Sequence, residues 1–482
     1  MSARHRKDIS KKACMRCRHQ KRRCDRAVPE CGLCLRLHQT CEYEGLELPP
    51  LDLSRLTPSP SPRVDLLSSD TLTPSQVKDT IIEKLGSISP EEVSSEYTQS
   101  IDPWFPIISY TLQGQLPSSW NEASLDFTIL CLCIIMLSTN PPPSSEYRDN
   151  PSRFKALYLC TKSWISLIEG FGANSLELVQ ARSLVTLFEV AHGLYPAAYI
   201  SIAATVRAAD ALGIHPSSQT SPIHSSSDEA KKQEAVFLWC GIHVLDRCIA
   251  IESGSRLSLT RLLTPDIHDL LKETFCPTLL ERDCTSLVCR LSRLFEASTL
   301  LDKMHTTLQN PTAEHMFNVE EVLLLVNTSI NLQTILMKEI GDENKIYSGG
   351  LELCNTGLLL AYENGSKVPI VDEIAANCNE IAATSLTSLL TAVTTTVEPF
   401  VSGAETIDFS RLPPFIIFLV YKTAALVTER LLMGIDSNEG LKRLRILRTF
   451  LRMVSARWLC CERYLELLND DTTPRILKSI EQ

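Results

Sequence analysis

The sequence predicts two unlike parts, a small metal-stabilised module near the N-terminus and a large all-α body behind it. Three observations predict this. Six of the chain's 18 cysteines fall within residues 14–41. A Pro- and Ser-rich stretch follows them. Beyond that stretch apolar residues recur at helical spacing, and alternation with period two is rare.

At 482 residues the chain has room for a small module plus one large or two medium domains. A hydrophobic share of 44% is ordinary for a globular protein with a substantial core. Charge is unevenly spread. Residues 1–44 hold 12 Lys and Arg against 5 Asp and Glu, a net of +7, so a chain of net −10 carries −17 elsewhere. A basic head on an acidic body suits a polyanion-binding head, with an acidic surface elsewhere that repels nucleic acid. No apolar stretch follows Met1-Ser2-Ala3-Arg4-His5-Arg6-Lys7, so no secretory signal is expected. In a reducing compartment clustered cysteines favour metal over disulfides. Phe127–Leu137 and Phe415–Val427 fall short of the roughly 20 apolar residues of a membrane span, and are expected to be buried helices.

Residues 1–13 read as a basic arm, 14–41 as the cysteine module and 42–75 as a linker. The linker is partly extended by its prolines, as in Thr57-Pro58-Ser59-Pro60-Ser61-Pro62. Residues 76–482 read as helix after helix. Val77, Ile81, Leu85 and Ile88 keep a heptad-like spacing for under two heptads before Pro90, too short for a stable zipper. A homodimer, if formed, is therefore expected to use the helical body, with monomeric binding as the alternative. Pro196 opens a helix whose Tyr199, Ile202, Val206 and Ala209 share one face, closed by Gly213 and Pro216. Ser217–Ser227 is a loop. The next helix, from about Asp228 to Ile251, is apolar on most sides and reads as central. Further helices are expected around Phe317–Ile340, Glu373–Thr396, Pro414–Met433 and Asn438–Leu468.

The twelve scattered cysteines read as small buried hydrophobes. Asp246-Arg247 reads as a structural pair within the bundle, and His192, His215 and His243 as structural. No Ser/His/Asp set, phosphate loop or His-Glu metal motif occurs, so the chain is not expected to be an enzyme.

The chemistry sits in the cysteine module. Its spacing is Cys14-x2-Cys17-x6-Cys24-x6-Cys31-x2-Cys34-x6-Cys41, an internal duplication of Cys-x2-Cys-x6-Cys. Zinc prefers a tetrahedron of four ligands, and Cys-x2-Cys offers two thiolates to one ion. Six thiolates serve two zinc ions if two of them bridge. A segment this short also needs metal to organise it, because it cannot bury an adequate core unaided. Three disulfides, a redox pair and a single zinc with two spare thiols are the rival readings, each with less support from the duplicated pattern. The halves differ in charge. Arg18, Lys21, Arg22 and Arg23 lie with His19 and Gln20 between Cys17 and Cys24, whereas Arg36 is the one Lys or Arg between Cys34 and Cys41. The first half is expected to face double-stranded DNA and the second to support it, with cations on phosphates for affinity or on guanine edges for specificity. A basic run also serves as a solvated face or a nuclear-import signal.

Ala13-Cys14-Met15-Arg16-Cys17-Arg18, Lys21-Arg22-Arg23-Cys24-Asp25 and Pro29-Glu30-Cys31 together resemble the fungal zinc binuclear cluster (Zn2Cys6) family of transcription factors. The resemblance implies a nuclear regulator with two short helices around two zinc ions. It implies that Cys14 and Cys31 bridge, with Cys17 and Cys24 on one ion and Cys34 and Cys41 on the other. It further implies a short helix ending in a cationic pair that reads CGG-like triplets. Lys21 would then be the principal base reader and Arg18 and Arg23 phosphate contacts. Gln20 stands where the family usually has Lys or Arg. Pro29 matches the family's loop proline. In the body, Asp102-Pro103-Trp104-Phe105-Pro106, Ala197–His215, Leu245-Asp246-Arg247 and Glu252-Ser253-Gly254-Ser255-Arg256-Leu257 are similar to the family's helical regulatory region. These features imply an activator of a pathway-specific gene set, of the kind that serves a secondary-metabolite gene cluster, working with coregulators. A zinc module that binds protein instead of DNA is the alternative.

Overall fold

The computed structural model describes residues 12–27, 31–36, 41, 73–108, 112, 116–142, 152–214, 229–254, 257–263, 287–313, 315–341, 345–371, 373–435 and 437–481. The chain divides into two compact units, Met1–Thr71 and Leu72–Gln482. Apart from a single bridge residue, Ala27, the regular structure among the described residues is helical. The first unit holds two five-residue helices, α1 (Met15–His19) and α2 (Gly32–Arg36). Expectations placed on residues 1–11, Pro29, most of the linker, His215, Ser217–Ser227, Ser255 and Arg256 lie outside the described residues.

The second unit opens with two helices built by one device. In α3 (Pro74–Leu85) Thr73 accepts the Gln76 N–H while the Gln76 side chain accepts the Thr73 N–H. In α4 (Pro90–Ser100) Ser89 and Glu92 repeat the exchange. Each capping box fills two orphan donors, and each proline sits where a missing N–H costs nothing. Val77, Ile81 and Leu85 are buried, and α3 packs on α5 (Leu125–Ser138). The heptad-like spacing noted above therefore serves the body core. Helix α5 is buried on nearly every side, as expected of Phe127–Leu137. Among the described residues no helix is long and apolar enough to cross a membrane.

Next come α6 (Ser152–Gly170), α7 (Leu176–Ala191), α8 (Ala197–Ala211) and α9 (Glu229–Glu252). Ile202, Val206 and Ala209 line the buried face of α8, joined by Ala198, while Tyr199 is half-buried. In α9 Phe237, Leu238, Trp239, Ile242, Val244, Leu245 and Ile249 are all buried, as a central helix requires. Asp246 and Arg247 are buried too, but they engage different elements. The Asp246 carboxylate accepts the Thr260 N–H and hydroxyl at 2.7 and 2.8 Å. Arg247 donates to the Ser298 and Thr299 hydroxyls at 2.7 and 2.9 Å. Adjacent charges thus pin α9 to two neighbours, a turn at Leu259–Leu263 and α10 (Leu287–Leu308). His192 and His243 are buried within aromatic clusters.

The remainder comprises α11 (Val319–Ile340), α12 (Gly349–Gly365), α13 (Glu373–Val401), α14 (Phe415–Leu432), α15 (Ser437–Val454), α16 (Cys460–Asp470) and α17 (Pro474–Glu481). Helices α10 and α12 pack closely because Gly349 has no side chain. A Cβ there would lie 3.0 Å from the Phe415 ring and 3.1 Å from Leu294. Two boundaries differ from expectation. Helix α13 continues through Pro399 to Val401, because buried Val397 and Phe400 anchor its last turn. The segment read as one helix over Asn438–Leu468 is two, broken at residues 455–459.

Tertiary contacts make that break. Arg457 donates to the carbonyls of Leu137 and Thr139 at 2.7 and 3.2 Å, filling the C-terminal end of α5. Its guanidinium lies 3.9 Å over the ring of Trp458, whose Nε1 donates to Leu412 O. Burial draws the Arg457 guanidinium down to about 10, so it stays charged at neutral pH. Arg457→Ala is expected to cost about 2–4 kcal/mol of stability, read by chemical denaturation, because two charge-assisted bonds go and buried carbonyls are left unfilled. An unchanged midpoint would remove Arg457 from the account of the core.

Candidate metal centre and nucleic-acid interface

Helix α1 is far too short to stand alone in water. Cys14 caps its N-terminal end. The Cys14 Sγ accepts the Cys17 N–H at 3.4 Å, and the duplicate repeats this, with Cys31 Sγ accepting the Cys34 N–H at 3.4 Å. Cys31 N–H in turn donates to Cys41 Sγ at 3.2 Å. The two knuckles face each other. Cys14–Cys31, Cys14–Cys34 and Cys17–Cys31 Sγ separations are each 3.8 Å. Two four-thiol groups result, Cys14/Cys17/Cys24/Cys31 and Cys14/Cys31/Cys34/Cys41, each with all sulfurs within 4.8 Å of one another. Cys14 and Cys31 belong to both.

These distances fit zinc. A tetrahedron with Zn–S bonds of about 2.3 Å has an edge of about 3.8 Å. The alternative of disulfides fails, since every described cysteine is a free thiol and a disulfide needs sulfurs about 2.05 Å apart. Crowding also splits the thiols electrostatically. Burial acts to raise Cys31, but hydrogen bonds from the Cys34 N–H and neighbouring thiols outweigh it and draw it down to about 6. Cys34, buried and giving its hydrogen bonds to ionised neighbours, is pushed up to about 12. Six thiolates this close need cations among them to coexist. The core of the module is the buried thiols Cys14, Cys17, Cys31 and Cys34, with Leu33, Cys24 and Cys41 packed around them.

Two further residues shape the centre. Both carboxylate oxygens of Asp25 accept the Gly32 N–H at 3.0 Å, tying the segment after Cys24 to the start of α2. A Cβ on Gly32 would lie 2.7 Å from Asp25 Oδ2, so a larger residue there would push the exposed carboxylate aside. Sequence reasoning gave neither residue a role. The available signal was an acidic residue after one cysteine and a glycine after its duplicate.

The cationic residues occupy the other end of α1. Arg18, Gln20, Lys21, Arg22 and Arg23 are all exposed. The helix ends in a Schellman turn, with Arg22 N–H donating to Cys17 O at 2.8 Å and Lys21 N–H to Arg18 O at 3.2 Å. Lys21 holds the left-handed position of that turn, φ 53°. Glycine is the usual occupant, and a lysine there carries a backbone cost of about 1 kcal/mol. A lysine at such a position suggests a role for its side chain. Residues 37–40, the weakly charged counterpart in the second half, lie outside the described residues.

Of the other cysteines, Cys131, Cys133, Cys240, Cys354, Cys378, Cys460 and Cys461 are buried, and Cys160, Cys248 and Cys289 half-buried. Burial raises the Cys240 and Cys354 thiols to about 12, as inert core thiols should be. Cys276 and Cys284 lie outside the described residues.

A six-thiol centre with an exposed basic rim, followed by a helical body, defines a zinc-cluster regulator. The family model "Fungal Zn(2)-Cys(6) binuclear cluster domain" matches residues 12–47, and "Fungal specific transcription factor domain" matches residues 95–312. Transcription factor BOA15 of Botryotinia fuckeliana (strain B05.10) is 32% identical over 126 residues, which cover 26% of this chain and 67% of that protein. The chain belongs to the fungal Zn(2)-Cys(6) transcription factor family. It is a zinc-containing, DNA-binding transcription regulator rather than an enzyme.

Proposed function

We propose that Cys14, Cys17, Cys24 and Cys31 hold one zinc ion, that Cys14, Cys31, Cys34 and Cys41 hold the other, and that the module so formed reads CGG-like triplets. The observation that carries this reading is the pair of thiol groups sharing Cys14 and Cys31, with the basic rim displayed at the end of α1. Lys21 reads base edges, Gln20 and Arg22 flank it, and Arg18 and Arg23 hold phosphates. Gln20, in the position where the family usually has Lys or Arg, pairs best with adenine, so the triplet itself is where this protein's half-site departs from CGG.

The four-part division into basic arm (1–13), cluster (14–41), linker (42–75) and helical regulatory domain (76–482) goes with this reading. Helix α3, which opens the helical part, begins at Pro74 and supports placing the last boundary near there. The protein acts in the nucleus as an activator of a pathway-specific gene set, of the secondary-metabolite cluster kind, and recruits coregulators. It works as a homodimer through the body. Support for that comes from Leu324 and Ile335, exposed and eleven residues apart, three turns along one side of α11.

The test titrates the zinc-loaded full chain with CGG-containing and scrambled duplexes, by fluorescence anisotropy across a salt series and by sedimentation equilibrium. The expected result is binding to CGG duplex about a thousandfold tighter than to scrambled, a steep salt dependence and two chains per paired half-site. Equal affinity for both duplexes overturns the triplet reading. One chain per duplex overturns the dimer. Absence of salt-dependent DNA binding favours the protein-binding alternative.

A further inference from the structure

A cavity of ≈ 470 Å³ opens among α11, α12, α13 and α14, C-terminal to the residues that the transcription factor domain model matches. Its volume falls in the range of small-molecule sites, about 300–1,000 Å³. Most of the wall is apolar, with Leu389, Val393, Val397 and Phe400 from one helix and Leu419 from another. Its polar groups are nearly all satisfied from within. Gln333 donates to Asn355 at 2.7 Å, and the Thr395 and Thr396 hydroxyls donate to carbonyls of their own helix at 3.0 and 2.9 Å.

Glu352 is the exception. It lines the same cavity, is 2% exposed, and neither carboxylate oxygen has a hydrogen-bond partner. Burial pushes its carboxyl well above the usual carboxylate range. Buried polar groups are nearly always paired, so a carboxyl with both oxygens unpaired beside a cavity calls for a partner, be it water or a guest that draws the side chain toward the cavity. The remaining charged lining groups are Lys345 and Glu405, so the described lining holds two carboxyl groups against one ammonium. With Glu352 held neutral by burial, Lys345 and Glu405 offset one another, and the ion pair that an ammonium would form with Glu352 is what favours a cationic guest over an anionic one.

We propose that this cavity binds a small organic amine, its apolar portion along α13 and its amino group received by Glu352. The site lies in the body and is independent of the zinc module, so its failure leaves the DNA-binding reading untouched, and the converse holds. It gives the helical body a means of sensing a metabolite.

The test uses the full chain and three probes, 2-phenylethylamine, 4-phenylbutylamine and n-decylamine, with 4-phenylbutyric acid as the isosteric anion. Binding is read by isothermal titration calorimetry. At least one amine is expected to bind saturably, and the acid at least about tenfold more weakly than its amine, since a charge-assisted bond is exchanged for repulsion. Glu352→Gln should weaken the amine at least about tenfold with helicity unchanged, and Val393→Trp, which fills the cavity, should abolish binding of every probe. Binding by none of the amines, equal binding of acid and amine, or unchanged amine affinity in both variants overturns the proposal. Should Glu352→Gln fail to fold, the Val393→Trp and acid-versus-amine comparisons still decide it.

Discussion

Cys31→Ser is expected to strip both zinc ions from the full chain and reduce its affinity for CGG duplex to the non-specific level, a loss of about a thousandfold or more. The reasoning is geometric. Cys31 belongs to both four-thiol groups, so its loss leaves each with three. Its sulfur also accepts the Cys34 N–H, so the second knuckle loses the bond that anchors it. The module has nothing to fall back on, because its buried core consists of the thiols themselves. Cys24→Ser, by contrast, touches one group and should leave one ion bound. Zinc counted by native mass spectrometry, with circular dichroism to show the body still helical, checks both. Two ions retained in Cys31→Ser would sink the shared-thiol assignment, and so would equal losses from Cys31→Ser and Cys24→Ser.

Lys21→Gly is the second large effect, and the more discriminating one. The usual Lys→Ala change would mix two causes, because alanine at φ 53° keeps the backbone cost while removing the ammonium. Glycine takes that conformation without penalty, so Lys21→Gly should hold zinc at least as well as the natural protein. Its affinity for CGG duplex should still fall about 10–100-fold, the worth of a good base contact, with a much smaller change on scrambled duplex. Equal losses on the two duplexes would make Lys21 a phosphate contact. Undiminished CGG binding would remove it from the interface.

The contrast between these two residues explains what was legible in the sequence. Metal ligation restricts both residue type and spacing, so Cys14 to Cys41 declared itself in one dimension. The left-handed turn at Lys21 did not, because the signal for such a turn is glycine and this chain has lysine. Asp25 and Gly32 stayed hidden for a related reason, since their bond joins positions seven apart through a fold that exists only once the thiols are gathered. In the body, periodicity located α8, α9, α11, α13 and α14, but it named no helix at α10 or α12. It missed the break at residues 455–459, where no Gly or Pro marks the chain and the cause is the reach of Arg457 to another helix. Nothing in the sequence around Glu352 sets it apart from the chain's other acidic residues. Its isolation depends on three other helices closing around it.

The bond from Arg457 to Leu137 also bears on how the molecule is made. The two residues are 320 positions apart, so α5 can leave the ribosome long before the group that finishes its C-terminal end has been synthesised. Through that interval the carbonyls at 137 and 139 have only water or a chaperone to meet them. A messenger cut short upstream of codon 457 would thus yield an intact zinc module tethered to a body that never closes. Such a product would compete for DNA sites while lacking the domain that acts on them, and so oppose the full-length chain rather than simply be absent.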